Sequence, residues 1–192
     1  MKLWLFGTYK WQGNPKALML YMQKKYADTH ELWWIADKQE DVAHISNLGL
    51  NAALMGTKKA NGLFANADVY VTENFRESYP ESLNSDAVVF NLWHGVGLKH
   101  VELGLDADVD VAESIVRKWT RNYSLFKNNV RFLTTSQAME NHFIEDMKLS
   151  PSQIVRGSYP RNSVYKKKNS DLYKTLAVQG YNLEEFSDVY AF

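Results

Sequence analysis

Short apolar runs alternate with helical periodicity along this chain, and that alternation leaves it few folds. Runs at residues 3–6, 32–35, 68–72, 87–90, 131–134 and 153–156 have the length and composition of strands, with a shorter one near 52–54. Between them apolar side chains recur at helical spacing: Leu18, Tyr21, Met22 and Tyr26, then Val42, Ile45 and Leu48, then Met139, Phe143 and Met147. Strands joined by helix-length connections pair in parallel, so the pattern predicts an α/β fold, a Rossmann-like parallel sheet with helices on both faces. Local punctuation agrees. Asn14-Pro15 reads as a helix start with Asn as cap, Asp37 and Glu40 have capping-box spacing, Gly49 ends a helix, and Ser136 caps the one after it in the last third. The stripe Val111, Ile115, Trp119 and Tyr123 predicts a single helix over 109–127.

Open parallel sheets bind ligands outside the carboxyl ends of their strands. The run at 87–90 ends in Trp93-His94-Gly95-Val96-Gly97-Leu98-Lys99-His100, which puts an imidazole on the sheet rim beside glycines that let a substrate approach the backbone. Imidazoles exchange protons near neutral pH, which makes His94 a candidate general base. A lone histidine is more often structural; the strand-end position, the glycines and the neighbouring Lys99 and His100 raise the functional reading. The last strand ends in Gly157-Ser158-Tyr159-Pro160-Arg161-Asn162 on the same rim, and Arg161 is read as a phosphate clamp or, nearly evenly, as a structural ion pair. Asn14 and Lys16, at a helix N-terminus, suit an anion, although plain capping and a solvated lysine explain them as well. Asp106 either orients His94 or simply ends its loop, the second being the commoner case. His30, His44 and His142 read as loop, surface and polar-face residues.

Charge excludes one class of partner. Lys+Arg and Asp+Glu are both 22, so nothing global steers the chain toward nucleic acid. With no cysteine there is no thiolate zinc site or disulfide framework, which suits a reducing cytoplasm. No segment reaches the ~20 apolar residues of a membrane span, so contact with a bilayer would be peripheral, through Lys58, Lys59 and Lys166 to Lys168 on anionic lipid. The lysine run at 166–168 also reads as a linker. It divides the chain into a lobe at 1–165 and a segment at 166–192 whose last residues, 188–192, look like the opening strand of a further lobe.

Trp93-His94-Gly95, Leu98-Lys99, Gly104-Leu105-Asp106, Gly157 and Pro160-Arg161-Asn162, with the early Asn14-Pro15-Lys16, together resemble the CDP-glycerol glycerophosphotransferase family of teichoic-acid primases, polymerases and capsule polyol-phosphate transferases. The likeness runs from near the N-terminus to about Tyr165. It departs at Val96-Gly97, where the family has Thr-Pro, and at Ser163, where it has Asp. The resemblance implies the N-terminal, acceptor-side lobe of a two-lobed GT-B transferase, with the nucleotide-binding lobe outside this chain. The implied reaction moves glycerol phosphate or ribitol phosphate from a CDP-alcohol donor to a hydroxyl of a lipid-linked polyol-phosphate or saccharide acceptor, releasing CMP. It would take place at the inner face of a bacterial membrane. His94 would be catalytic, and Asn14, Lys16, Trp93, Gly95, Lys99, Arg161 and Asn162 would bind substrate. No cofactor is implied, and no metal ligand is expected, since no carboxylate cluster with metal spacing stands out. The competing readings are a GT-B glycosyltransferase using a nucleotide sugar, and a non-catalytic acceptor-binding fragment.

Overall fold

A computed structural model describes residues 1–7, 10–76, 78–97 and 99–162. Seven strands form one sheet: β1 (Lys2–Phe6), β2 (His30–Ala36), β3 (Ala52–Leu54), β4 (Val69–Thr72), β5 (Val88–Asn91), β6 (Val130–Thr134) and β7 (Ile154–Arg156). Their order is β3-β2-β1-β4-β5-β6-β7, and every neighbouring pair is parallel. The chain first works outward from β1 to β3 and then returns to build from β4 to β7. The strand direction of travel therefore reverses between β1 and β4, and the loops after those two strands open a crevice at their carboxyl ends.

Neighbouring residues on a strand face opposite ways, and in this sheet both faces are apolar. Phe6 and Val71, paired in register, point to one side, where α1 (Gly13–Tyr26) and α2 (Gln39–Asn47) contribute Met19, Met22 and Ile45, whereas Val89 and Phe132 belong to the opposite face, with Phe126 of α5 (Tyr123–Asn128) and Phe143 and Met147 of α6 (Gln137–Met147). Leu5, Ile35, Tyr70 and Ala87 point to that opposite face as well, where α3 (Lys58–Ala65) supplies Ala60 and Phe64. Gly7 ends β1 at φ 133°, and a Cβ there would sit 2.2 Å from the carbonyl oxygen of Ile35, so only glycine lets the first strand end against the second.

Several local expectations change in the folded chain. The helix expected over 109–127 is two: α4 (Val109–Arg121), capped by Asp108, and α5, with the break at Asn122. Lys38 precedes α2 without a side-chain cap bond, so the Asp37/Glu40 capping box does not form. Asn14 lies inside α1 rather than at its cap, which is Gln12. His30 is the first residue of β2 rather than a loop residue. Ser136 caps α6 as expected, accepting from the Met139 N–H. The first compact unit is Met1–Arg161 and the second Asn162–Phe192; the expected linker at 166–168 and terminal strand at 188–192 lie outside the described residues.

Candidate active site

His94 follows β5, and the chain reaches it through a strained step. Trp93 has φ 52°, a left-handed conformation uncommon for a bulky residue, and persists there because both its main-chain polar groups are held. Its N–H donates to Asn91 Oδ1 (2.9 Å), and its carbonyl accepts from Asn14 Nδ2 (2.8 Å) on α1. The indole is anchored among Phe132 and Phe143, with ring centres at 5.7 and 5.4 Å. The turn lifts the next side chain out of the packing, so His94 is exposed, its ring lying on the Trp93 indole at 4.3 Å and 29°.

One hydrogen bond decides the state of that ring. His94 Nδ1 lies 2.9 Å from the carbonyl oxygen of Glu73, at the end of β4. A carbonyl only accepts, so Nδ1 carries the proton and the neutral ring presents Nε2 with a free lone pair. The main chain after β4 thus fixes the tautomer a base needs. Asp106 is exposed, and the orienting partner of His94 is the Glu73 carbonyl instead.

Arg161 closes the other side. Its guanidinium donates to the His94 carbonyl (2.8 Å), its main-chain N–H to Asn14 Oδ1 (3.3 Å), and Tyr159 donates its hydroxyl to the Gly95 carbonyl (2.5 Å). Asn14 is fully buried and spends its amide on the loops after β5 and β7 at once. Trp93, Gly95, Asn14 and Arg161 therefore gather around His94. Asn14 and Trp93 lie beneath the surface of the site, holding it, rather than on it.

The remaining candidates lie apart. Lys16 places its ammonium 5.1 Å over the Trp11 ring, a cation–π contact of its own. Lys99 is exposed further along the loop, where its carbonyl accepts from His142 Nε2 on α6 (3.1 Å). Asn162 is exposed and belongs to the second unit.

Glu73 is the site residue that sequence reasoning passed over. Its carboxylate accepts the Asn14 N–H (3.3 Å) in the first turn of α1, where the sequence suggested a phosphate. Gly13 permits this approach, since a Cβ there would meet Glu73 Oε2 at 2.3 Å. Burial pushes the Glu73 carboxyl up, against the pull of the Asn14 N–H, His94 and Arg161. The signal available was its place at a strand end on the same rim as His94. A carboxyl whose pKa is raised on folding contributes stability below its unfolded value and loses it as pH climbs through the folded one. Glu73→Gln keeps an oxygen for Asn14 and removes that charge. The variant is expected to lose this downward slope of stability with rising pH, read as urea midpoints through the mildly acidic range; an unchanged slope would clear Glu73 of the effect.

The sequence profile described as CDP-Glycerol:Poly(glycerophosphate) glycerophosphotransferase matches residues 2–189. No curated protein matches. Among solved structures, the chain is similar to the wall teichoic acid polymerase TagF at 16% identity and TM-score 0.72, over 93% of this chain and 44% of that one. It is similar to a TagF variant at 14% and 0.72, over 97% and 49%, and to that variant after a 30-minute soak with CDPG at 16% and 0.71, over 97% and 46%. The likeness is one of fold, and the chain spans a little under half the length of these TagF chains.

Proposed function

The chain belongs to the CDP-glycerol:poly(glycerophosphate) glycerophosphotransferase family, and from that membership we propose that it forms the acceptor-side part of a transferase moving glycerol phosphate from CDP-glycerol to a hydroxyl of a teichoic-acid acceptor. An alkyl hydroxyl is a weak nucleophile at neutral pH and gains from a base within hydrogen-bond reach. In the proposed step the acceptor oxygen bonds to the phosphorus that carries glycerol, and the bond from that phosphorus to the bridging oxygen breaks. The acceptor proton passes to His94 Nε2, and CMP leaves with the bond's electron pair. The observation that carries this reading is the 2.9 Å contact from Nδ1 of the exposed His94 to the Glu73 carbonyl, because in the neutral ring it makes Nε2 the nitrogen that accepts a proton.

Arg161 has the second role. A guanidinium offers five N–H donors, and the bond to the His94 carbonyl uses one edge of the fork. The rest suits phosphate oxygens in a bidentate contact, which places positive charge beside the base. Asn14 and Tyr159 act through the loop they hold. Ribitol phosphate in place of glycerol phosphate, capsule in place of wall polymer, and peripheral contact with an anionic membrane are finer forms of the same proposal. No described helix is long and apolar enough to cross a membrane, and Lys59, one of the lysines offered for lipid contact, sits 4.1 Å over the Trp33 ring.

Donor competition tests the assignment. The protein in its native context is incubated with a glycerol-phosphate-terminated acceptor and CDP-glycerol, CDP-ribitol or a nucleotide sugar, and released nucleotide is separated by chromatography. CMP from a CDP-alcohol with lengthening of the acceptor is expected. Turnover of the nucleotide sugar alone would replace the proposal with a glycosyltransferase.

A further inference from the structure

Asp146 on α6 is the most completely buried carboxylate among the described residues, with 1% of its side chain exposed, and no lysine or arginine pairs with it there. Its partners are two imidazoles and a main-chain amide. His100 Nδ1 lies 2.9 Å from Oδ1, His142 Nε2 lies 3.6 Å from Oδ2, and the Val101 N–H donates to Oδ2 at 2.7 Å. Burial alone would push the Asp146 carboxyl up, but the hydrogen bonds from His100 and Val101 and the charge of the nearby imidazoles carry it below its usual range. The carboxylate itself is enclosed, while the His100 ring beside it is open to solvent.

We propose that His100, His142 and Asp146 bind one divalent transition-metal ion of the zinc class, and that the ion fastens the segment following the His94 turn to α6. Three observations meet here. One ligand atom from each residue lies within 4.8 Å of the other two, so a small shift brings all three around one ion. His142 and Asp146 stand four apart on a helix, which places both on one face, the spacing by which helices present paired metal ligands. The carboxylate is already aimed by the Val101 amide, and Gly104 packs so closely that a Cβ there would stand 2.3 Å from Asp146 Oδ1. Supporting contacts of this kind set the direction of metal ligands.

The donor set selects the ion. Two imidazole nitrogens and one carboxylate oxygen suit zinc, cobalt or nickel better than calcium or magnesium, which prefer oxygen throughout. In the neutral rings, binding exchanges one tautomer for the other. His100 shifts its proton from Nδ1 to Nε2, which its exposed ring presents to solvent, and His142 shifts its own from Nε2 to Nδ1, giving up the contact with the Lys99 carbonyl. The three-ligand set leaves a coordination position on the His100 side, where 66% of that side chain is exposed.

Untagged, chelator-stripped protein titrated calorimetrically with zinc sulfate tests the site, with cobalt absorption as a second reading. The expected result is saturable binding of one ion, a visible cobalt band of tetrahedral intensity, and at least a ~10-fold loss of affinity in His100→Ala and in His142→Ala. His44→Ala, on an exposed face of α2, is expected to bind as the parent does. Asp146→Asn removes a buried group whose loss can prevent folding, so the decision rests on His100→Ala, whose ring lies at the surface and whose circular dichroism is checked alongside. Absence of saturable zinc binding, or affinity unchanged in His100→Ala, overturns the proposal and leaves a hydrogen-bonded cluster. The reading is of binding, so it stands or falls apart from the transfer reaction.

Discussion

Replacing His94 by alanine is expected to lower kcat for transfer by about 10²–10⁴-fold, the usual contribution of a positioned general base, with little change in donor or acceptor affinity and none in fold. The separation of effects follows from where the ring sits. His94 is exposed and gives its Nδ1 proton to a main-chain carbonyl, so its loss leaves no buried group unpaired and opens no cavity. The acceptor would still bind against Arg161, whose hold on the loop is through the His94 carbonyl and survives a change of side chain. Added imidazole should restore part of the rate in His94→Ala, because a small base can occupy the space above Trp93. Calorimetry on the free protein, turnover by CMP release and the imidazole series together separate a base from a brace. Turnover within a few-fold of the parent, or a large drop in melting temperature with turnover per folded molecule unchanged, would remove His94 from the chemistry.

Much of the frame could be read from residue order because a parallel sheet buried on both faces must be written in apolar, β-branched runs. The ends of β5 and β7 were legible as well: Trp93-His94-Gly95 and Tyr159-Pro160-Arg161 both follow such runs, and a common strand direction brings them to one rim. What escaped was whatever depends on strand order or on main-chain groups. That β4 lies between β1 and β5 has no local signature, yet it alone brings the Glu73 carbonyl to His94 and the Glu73 carboxylate to α1. Asn14 looked like a cap because Asn before Pro commonly is one. Its amide is drawn instead to the Trp93 carbonyl, 79 positions away, by a tertiary contact that outweighs the local preference. Lys16 and Lys99 carried the right charge for a phosphate, but side-chain charge says nothing of direction, and one found an indole while the other stands further along the loop. The spacing of His142 and Asp146 was visible on the helix, whereas the approach of His100 required the fold.

Phe132→Ala should cost about 3–5 kcal/mol of stability, the range for truncating a fully enclosed aromatic ring, and should disturb the site from below. Phe132 is fully buried on β6, one strand over from the run that ends in His94. Its ring lies 4.8 Å from Phe143 on α6, 5.7 Å from Trp93 and 5.9 Å from Phe75, whose plane it nearly parallels at 12°. It is therefore the floor on which the Trp93 indole rests, and the indole is in turn the surface on which the His94 ring lies. The hydrogen bonds from Asn91 and Asn14 hold the left-handed main chain of Trp93, but the position of its side chain depends on this packing. Removing the ring takes away transfer energy and leaves a hole that α6 and β5 can close only by moving. Urea unfolding should show a lower midpoint at unchanged slope. Turnover measured where the variant is still folded should fall while donor affinity holds, since the base is displaced rather than removed. A loss under about 1 kcal/mol would mean that the neighbouring rings collapse readily into the space, and an unaltered kcat would show that the seat of His94 is set by the main-chain bonds alone.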